Sequence, residues 1–142
     1  MIYMDKNALK KYTTEIIFNQ DELNVFCQIM HLENTAHDDL LQANCIGYKQ
    51  TLVPVIYAMS TSLSILNDYV FPNYEPLELY REYICIRPIF VGNVYRMEYI
   101  LKSIDYEGYI GTAVIRLKND KGQVCVNGLV KLKLINSKTD NL

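Results

Sequence analysis

The sequence predicts a single α+β domain in which a curved antiparallel sheet wraps around a long apolar helix. Three observations carry that expectation. The segment Thr51–Leu66 (TLVPVIYAMSTSLSIL) contains no Asp, Glu, Lys or Arg. It is too long for an ordinary strand and too short for the roughly 20 residues of a membrane span, so a helix buried on most sides satisfies it. Beyond the turn material Asp68–Pro76 the period changes. Leu79–Phe90, Val94–Ile104, Tyr109–Leu117 and Gln123–Ile135 have strand character and are broken at Gly92-Asn93, Glu107-Gly108 and Asp120-Lys121-Gly122. Finally, 142 residues, 50% hydrophobic and 21% charged, have the size and composition of one globular domain.

The elements follow in order. Thr13–Phe18 (TTEIIF) is β-branched and aromatic, which predicts a strand. Asn19 is an N-cap candidate with Glu22 three residues on, and Leu23, Phe26, Cys27 and Met30 recur at helical spacing, so Gln20–His31 reads as an amphipathic helix. Leu32–Ala36 is a polar break, and Asp38–Asn44 reads as a second short helix closed by Gly47. Pro54 suits the first position of the long helix. In the strands, Tyr95, Met97, Tyr99 and Leu101 share one face against Arg96 and Glu98, as Val124, Val126, Val130, Leu132 and Leu134 do against Lys131 and Lys133. Such half-polar strands belong to an antiparallel sheet with one wet face. A sheet closing over one apolar helix is the hot-dog arrangement. A cystatin-like cone fits less well, because a further helical segment precedes the long helix. Residues 1–12 and 136–142 are expected to be peripheral.

Fourteen basic and sixteen acidic side chains leave a net charge of −2. That balance gives little field for nucleic-acid phosphates, and no apolar run reaches a membrane span. Cys27, Cys45, Cys85 and Cys125 are widely spaced without a CxxC pair, and Met1–Tyr12 lacks a signal-peptide core. Free thiols in a cytoplasmic protein are therefore expected. His31 and His37 share no metal-ligand spacing, so neither metal nor cofactor is expected.

The segment Asn34-Thr35-Ala36-His37-Asp38-Asp39-Leu40-Leu41-Gln42-Ala43 resembles the signature of the MaoC-like hydratases, Asp-x-Asn-Pro-x-His followed by five residues and a small one. Asn34, His37 and Ala43 occupy matching places. Ile46-Gly47-Tyr48 resembles the family's Gly-Phe pair, Leu52-Val53-Pro54-Val55 its apolar pair followed by His or Pro and then Gly, and Arg87-Pro88-Ile89-Phe90-Val91-Gly92-Asn93 its strand and turn before a Gly-Asp pair. The resemblance implies the hot-dog fold and reversible addition of water to an enoyl thioester on coenzyme A or acyl carrier protein. It also implies pairing into a homodimer or a heterodimer with a related subunit. In that family an Asp and a His act on one water, and a backbone amide polarises the thioester carbonyl. Here the Asp position is Leu32, Thr35 replaces the Pro, and the amide-bearing Gly is Val55.

Transferred position by position, the resemblance assigns acid/base work to His37 and its support to Asn34. The oxyanion and substrate contacts fall to Pro54, Val55, Gly47 and Tyr48. A histidine side chain can accept or donate a proton under ordinary conditions, which suits proton transfer. Val55 follows a proline at a helix start, where a backbone N–H has no helical acceptor. Glu33, Asp38 and Asp39 are candidate replacements for the absent carboxylate. Tyr57, Met59, Tyr95, Met97 and Tyr99 are core or the wall of an acyl tunnel. Two alternatives stand beside the enzyme: a pocket-shaping subunit that has lost the chemistry, favoured by Leu32, and a thioesterase of the same fold using Glu33.

Overall fold

The computed structural model describes residues 2–3, 11–71 and 73–136. Along the chain come β1 (Ile2–Tyr3), β2 (Lys11–Ile17), α1 (Gln20–Ile29), α2 (Leu40–Cys45), α3 (Val55–Tyr69), β3 (Tyr74–Cys85), β4 (Val94–Asp105), β5 (Ile110–Lys118) and β6 (Val124–Asn136). All strands join one antiparallel sheet in the order β1-β4-β5-β6-β3, with β2 also paired to β4. Among the described residues β3 pairs only with β6, which leaves its other side an open edge there.

Side-chain alternation sorts the two faces of the sheet. Gly111, Ala113, Ile115 and Leu117 of β5 are buried, whereas Thr112, Val114, Arg116 and Lys118 between them are not. Helix α3 lies on the buried side and contributes Ala58 and Met59 to a core shared with Met97, Tyr99, Leu101, Val130 and Leu132. Each such large apolar side chain stabilises the fold by about 1.5–3 kcal/mol through burial. Gly128 lets the helix approach: a Cβ there would sit 3.0 Å from Met59 Cε and 3.2 Å from the Glu82 carbonyl oxygen. The hot-dog arrangement expected from the element order is the one observed.

Several boundaries differ from expectation. Pro54 is not the first helical residue; its carbonyl accepts from Ala58 N–H (3.1 Å), so it caps α3, which begins at Val55. The first helix stops at Ile29 because His31 takes a left-handed conformation (φ 57°). Strand β3 begins at Tyr74 and ends at Cys85, earlier than Leu79–Phe90. Pro76 is accommodated because edge strands tolerate proline. Residues 86–91 leave the ladder so that Phe90 can bridge Leu52. Helix α3 is less enclosed than expected, with Ile56, Ser60 and Ser64 exposed on one stripe. Lys11 and Tyr12, expected to be peripheral, belong to β2, and the Tyr12 ring stacks on Tyr69 at 4.8 Å. Of the C-terminal tail, Asn136 ends β6 and the remainder lies outside the described residues.

Burial raises the pKa of the Cys27 and Cys125 thiols and of the Tyr95 hydroxyl, because it penalises their charged forms. The unfolded chain therefore releases these protons first as pH rises. Their contribution to stability is complete below the unfolded values and is lost above them. The urea midpoint is expected to hold near neutrality and to fall from about pH 8.5 to about pH 10, the ordinary thiol and phenol range. A midpoint that stays level over that window would contradict the assignment.

Candidate active site

The loop between α1 and α2 is locked by its own polar groups. Asn19 caps α1, its Oδ1 accepting from Asp21 N–H at 2.7 Å and Glu22 N–H at 3.4 Å. At the other end Leu32 N–H donates to the Cys27 carbonyl (2.8 Å), and the chain turns through the left-handed residues His31 and Asn34. Asp38 spans the turn, its two carboxylate oxygens accepting from Asn34 N–H (3.0 Å) and Thr35 N–H (2.9 Å). Thr35 Oγ1 donates to the Leu32 carbonyl (2.7 Å) and accepts from His37 N–H (3.2 Å). Asp39 then caps α2 by accepting from Leu41 N–H (2.9 Å).

This loop is clipped to the segment that enters α3. His37 Nδ1 lies 2.7 Å from the Leu52 carbonyl oxygen. A carbonyl can only accept, so Nδ1 carries a proton, and in the neutral form of the ring Nε2 holds the free lone pair. Gln20 Nε2 donates to the His37 carbonyl (3.1 Å), Thr51 Oγ1 donates to Gln20 Oε1, and Leu52 N–H donates to the Ala36 carbonyl (3.0 Å). The entering segment is held in turn by 86–91: Val53 N–H donates to the Ile89 carbonyl (2.7 Å) and Val91 N–H to the Thr51 carbonyl (3.0 Å). Three residues beyond the carbonyl that fixes His37, Val55 opens the helix. Its N–H belongs to the unclaimed first turn and has no acceptor among the described residues.

The remaining candidates divide. Gly47 (φ 95°) ends α2 as a C′ residue, and Tyr48 packs its ring on Phe90 at 5.5 Å, against the same Leu52–Phe90 bridge. Asn34 is exposed, and its observed contact is the backbone bond to Asp38 rather than a side-chain bond to His37. Leu32 packs on the core. Asp38 and Asp39 are occupied with backbone N–H groups, and Glu33 is exposed on the loop. Met59, Tyr95, Met97 and Tyr99 are buried in the core, while Tyr57 is half-buried against Phe26 (5.0 Å between ring centres) and Phe18 (6.2 Å). Three surface clefts are lined by strands and their turns; neither His37 nor Val55 lines any of them. Sequence reasoning missed Gln20, Thr51 and the Leu52 carbonyl. No local pattern announces them, because each meets its partner only through the fold.

No family model and no curated protein matches the chain. Solved structures do. An (R)-hydratase from A. caviae involved in PHA biosynthesis superposes with a TM-score of 0.80 at 20% identity, over 93% of this chain and 99% of the other. A MaoC-like dehydratase from Rhodospirillum rubrum gives a TM-score of 0.72 at 12% identity, over 89% of this chain and 91% of the other. The HadBC complex of Mycobacterium tuberculosis, a 3R-hydroxyacyl-ACP dehydratase, gives a TM-score of 0.67 at 16% identity, over 87% of this chain and 92% of the other. The fold of this chain is the fold those proteins share.

Proposed function

We propose that this chain is a hydratase or dehydratase acting on an acyl thioester of coenzyme A or acyl carrier protein, working without metal or cofactor in the cytoplasm. The observation that carries this reading is the pairing of a fixed imidazole with an unclaimed helix-start amide. His37 is held through Nδ1 by the Leu52 carbonyl, and the Val55 N–H opens the helix three residues on. In the hydration direction, Nε2 takes a proton from water as the water oxygen bonds to the β-carbon. The Cα=Cβ electrons move toward the thioester carbonyl, whose developing negative charge is stabilised by the Val55 amide. The imidazolium then returns the proton to Cα, so atoms and charge balance with one proton carrier.

Pairing with a second subunit belongs to this reading. The open edge of β3, with Leu77, Leu79 and Ile84 more than half exposed, suits strand pairing with a second copy or a related chain. The fold similarity to HadBC supports a heterodimer as well as a homodimer.

Purified protein mixed with crotonyl-CoA should show a slow loss of enoyl absorbance, and His37→Ala should slow it by about 10²–10⁴, the usual worth of an acid/base group. Equal rates for the two proteins would end the enzyme reading. A second reading, a pocket-shaping subunit for an active partner, is favoured by Leu32, an aliphatic side chain packed on the core where the resembling family has its carboxylate. Thioester binding without turnover would select it. Glu33, exposed and without a bond to His37, gives a thioesterase little support.

A further inference from the structure

The near-zero net charge hides a segregation that the fold makes visible. From Asn19 to Gly47, which includes α1, the His37 loop and α2, the chain carries Asp21, Glu22, Glu33, Asp38 and Asp39 and no lysine or arginine. The same cap exposes Val25, Ile29, Leu41 and Ile46, each by more than half. The outward face of the three central strands has the opposite character. Arg96, Lys102, Arg116, Lys118, Lys131 and Lys133 alternate there with the buried core positions, and the acids of those strands are Glu98 and, at the end of β4, Asp105. Glu98 is itself satisfied by Lys118 (3.1 Å) and Lys11 (3.8 Å), so it does not cancel the rest. The edge strands add Glu15, Glu75 and Glu82 at the margins.

Beside Lys102 and Arg116 lies a groove of about 440 Å³, lined also by Glu82, Ile84, Val114 and Leu129. Apolar side chains beside two cations, on a face richer in cations than in acids, fit an acidic surface that also offers aliphatic side chains. The cap of this chain is such a surface. We infer that the outward sheet face of one copy docks the acidic α1–α2 cap of a second copy, a head-to-tail contact distinct from pairing at the β3 edge. Burying the aliphatic side chains supplies the affinity, and the opposed charges set orientation and approach rate. Because the two patches differ, the contact is heterologous and propagates beyond a dimer.

Sedimentation velocity of the full chain tests this. At about 50 mM NaCl, species larger than a dimer should grow with protein concentration, and at about 500 mM NaCl, where the Debye length shrinks several-fold, they should dissociate. A face variant, Arg116→Glu with Lys131→Glu, should lose the larger species, as should a cap variant, Glu33→Lys with Asp21→Lys. All four positions are surface sites away from the His37 hydrogen bonds. Mixed together, the two variants should reassociate, because an acidic face then meets a basic cap. A merely misfolded variant cannot produce that rescue. Failure of the mixture to reassociate, or low-salt assembly that survives both variants, would overturn the inference. Binding of a mixed-sequence single-stranded RNA that is lost in the face variant, without self-association of the parent, would overturn it in favour of nucleic acid.

Discussion

Leu32→Asp should raise crotonyl-CoA hydration by about tenfold or more, the lower range of what a positioned second acid/base group supplies. Position 32 follows the left-handed His31, and its N–H and carbonyl are held by Cys27 and Thr35, so the backbone there is fixed whatever side chain it bears. The leucine packs on the core as a partly buried residue, which leaves an aspartate partial access to water. A carboxylate at this point would share the water with His37, one group removing a proton while the other delivers one. Adding His37→Ala should abolish the gain. The cost is some core packing, so unfolding of the variant must be measured beside its rate. A folded Leu32→Asp protein that binds acyl thioesters with unchanged turnover would leave the pocket-subunit reading in place.

The largest effect on stability is expected where α3 runs into β3. Phe71 is completely buried, and its ring lies over β5 at Gly111, where a Cβ would come within 3.1 Å of Phe71 Cζ. Phe71→Ala should cost about 3–5 kcal/mol of unfolding free energy, the usual cost of truncating a fully buried phenylalanine. Gly111→Ala should destabilise the parent by forcing the ring aside, and much less so in a Phe71→Leu background, because the atom it strikes is then gone. The two changes should therefore be non-additive in urea unfolding. Simple additivity would show that the ring does not rest on Gly111.

The strand pattern, the turns and the helical caps were legible because each depends on residues within a few positions of one another. Alternation in Val94–Leu101 announced which side of β4 meets the helix. Asn19, Gly47, Gly92 and Gly122 announced ends and reversals through local hydrogen bonds or a positive φ. The boundaries of β3 were not legible, since Pro76 is compatible with a strand only at an edge, and being an edge is a property of the whole sheet. The site divides in the same way.

Its residue types and order, His37 in frame with Asn34 and a helix start after Pro54, were determined by the sequence alone. So were Leu32, Thr35 and Val55 at places where the resembling pattern has another residue. Only the tertiary structure decided that the Leu52 carbonyl holds Nδ1 and leaves Nε2 without that bond, that Asp38 is consumed in bracing the loop, and that Asn34 faces water. It also decided that cations scattered through β4, β5 and β6 share one face opposite in character to the acidic cap. Such contacts join residues far apart in the chain. Their geometry depends on how the sheet, the helix and the loop pack together, which no local spacing encodes.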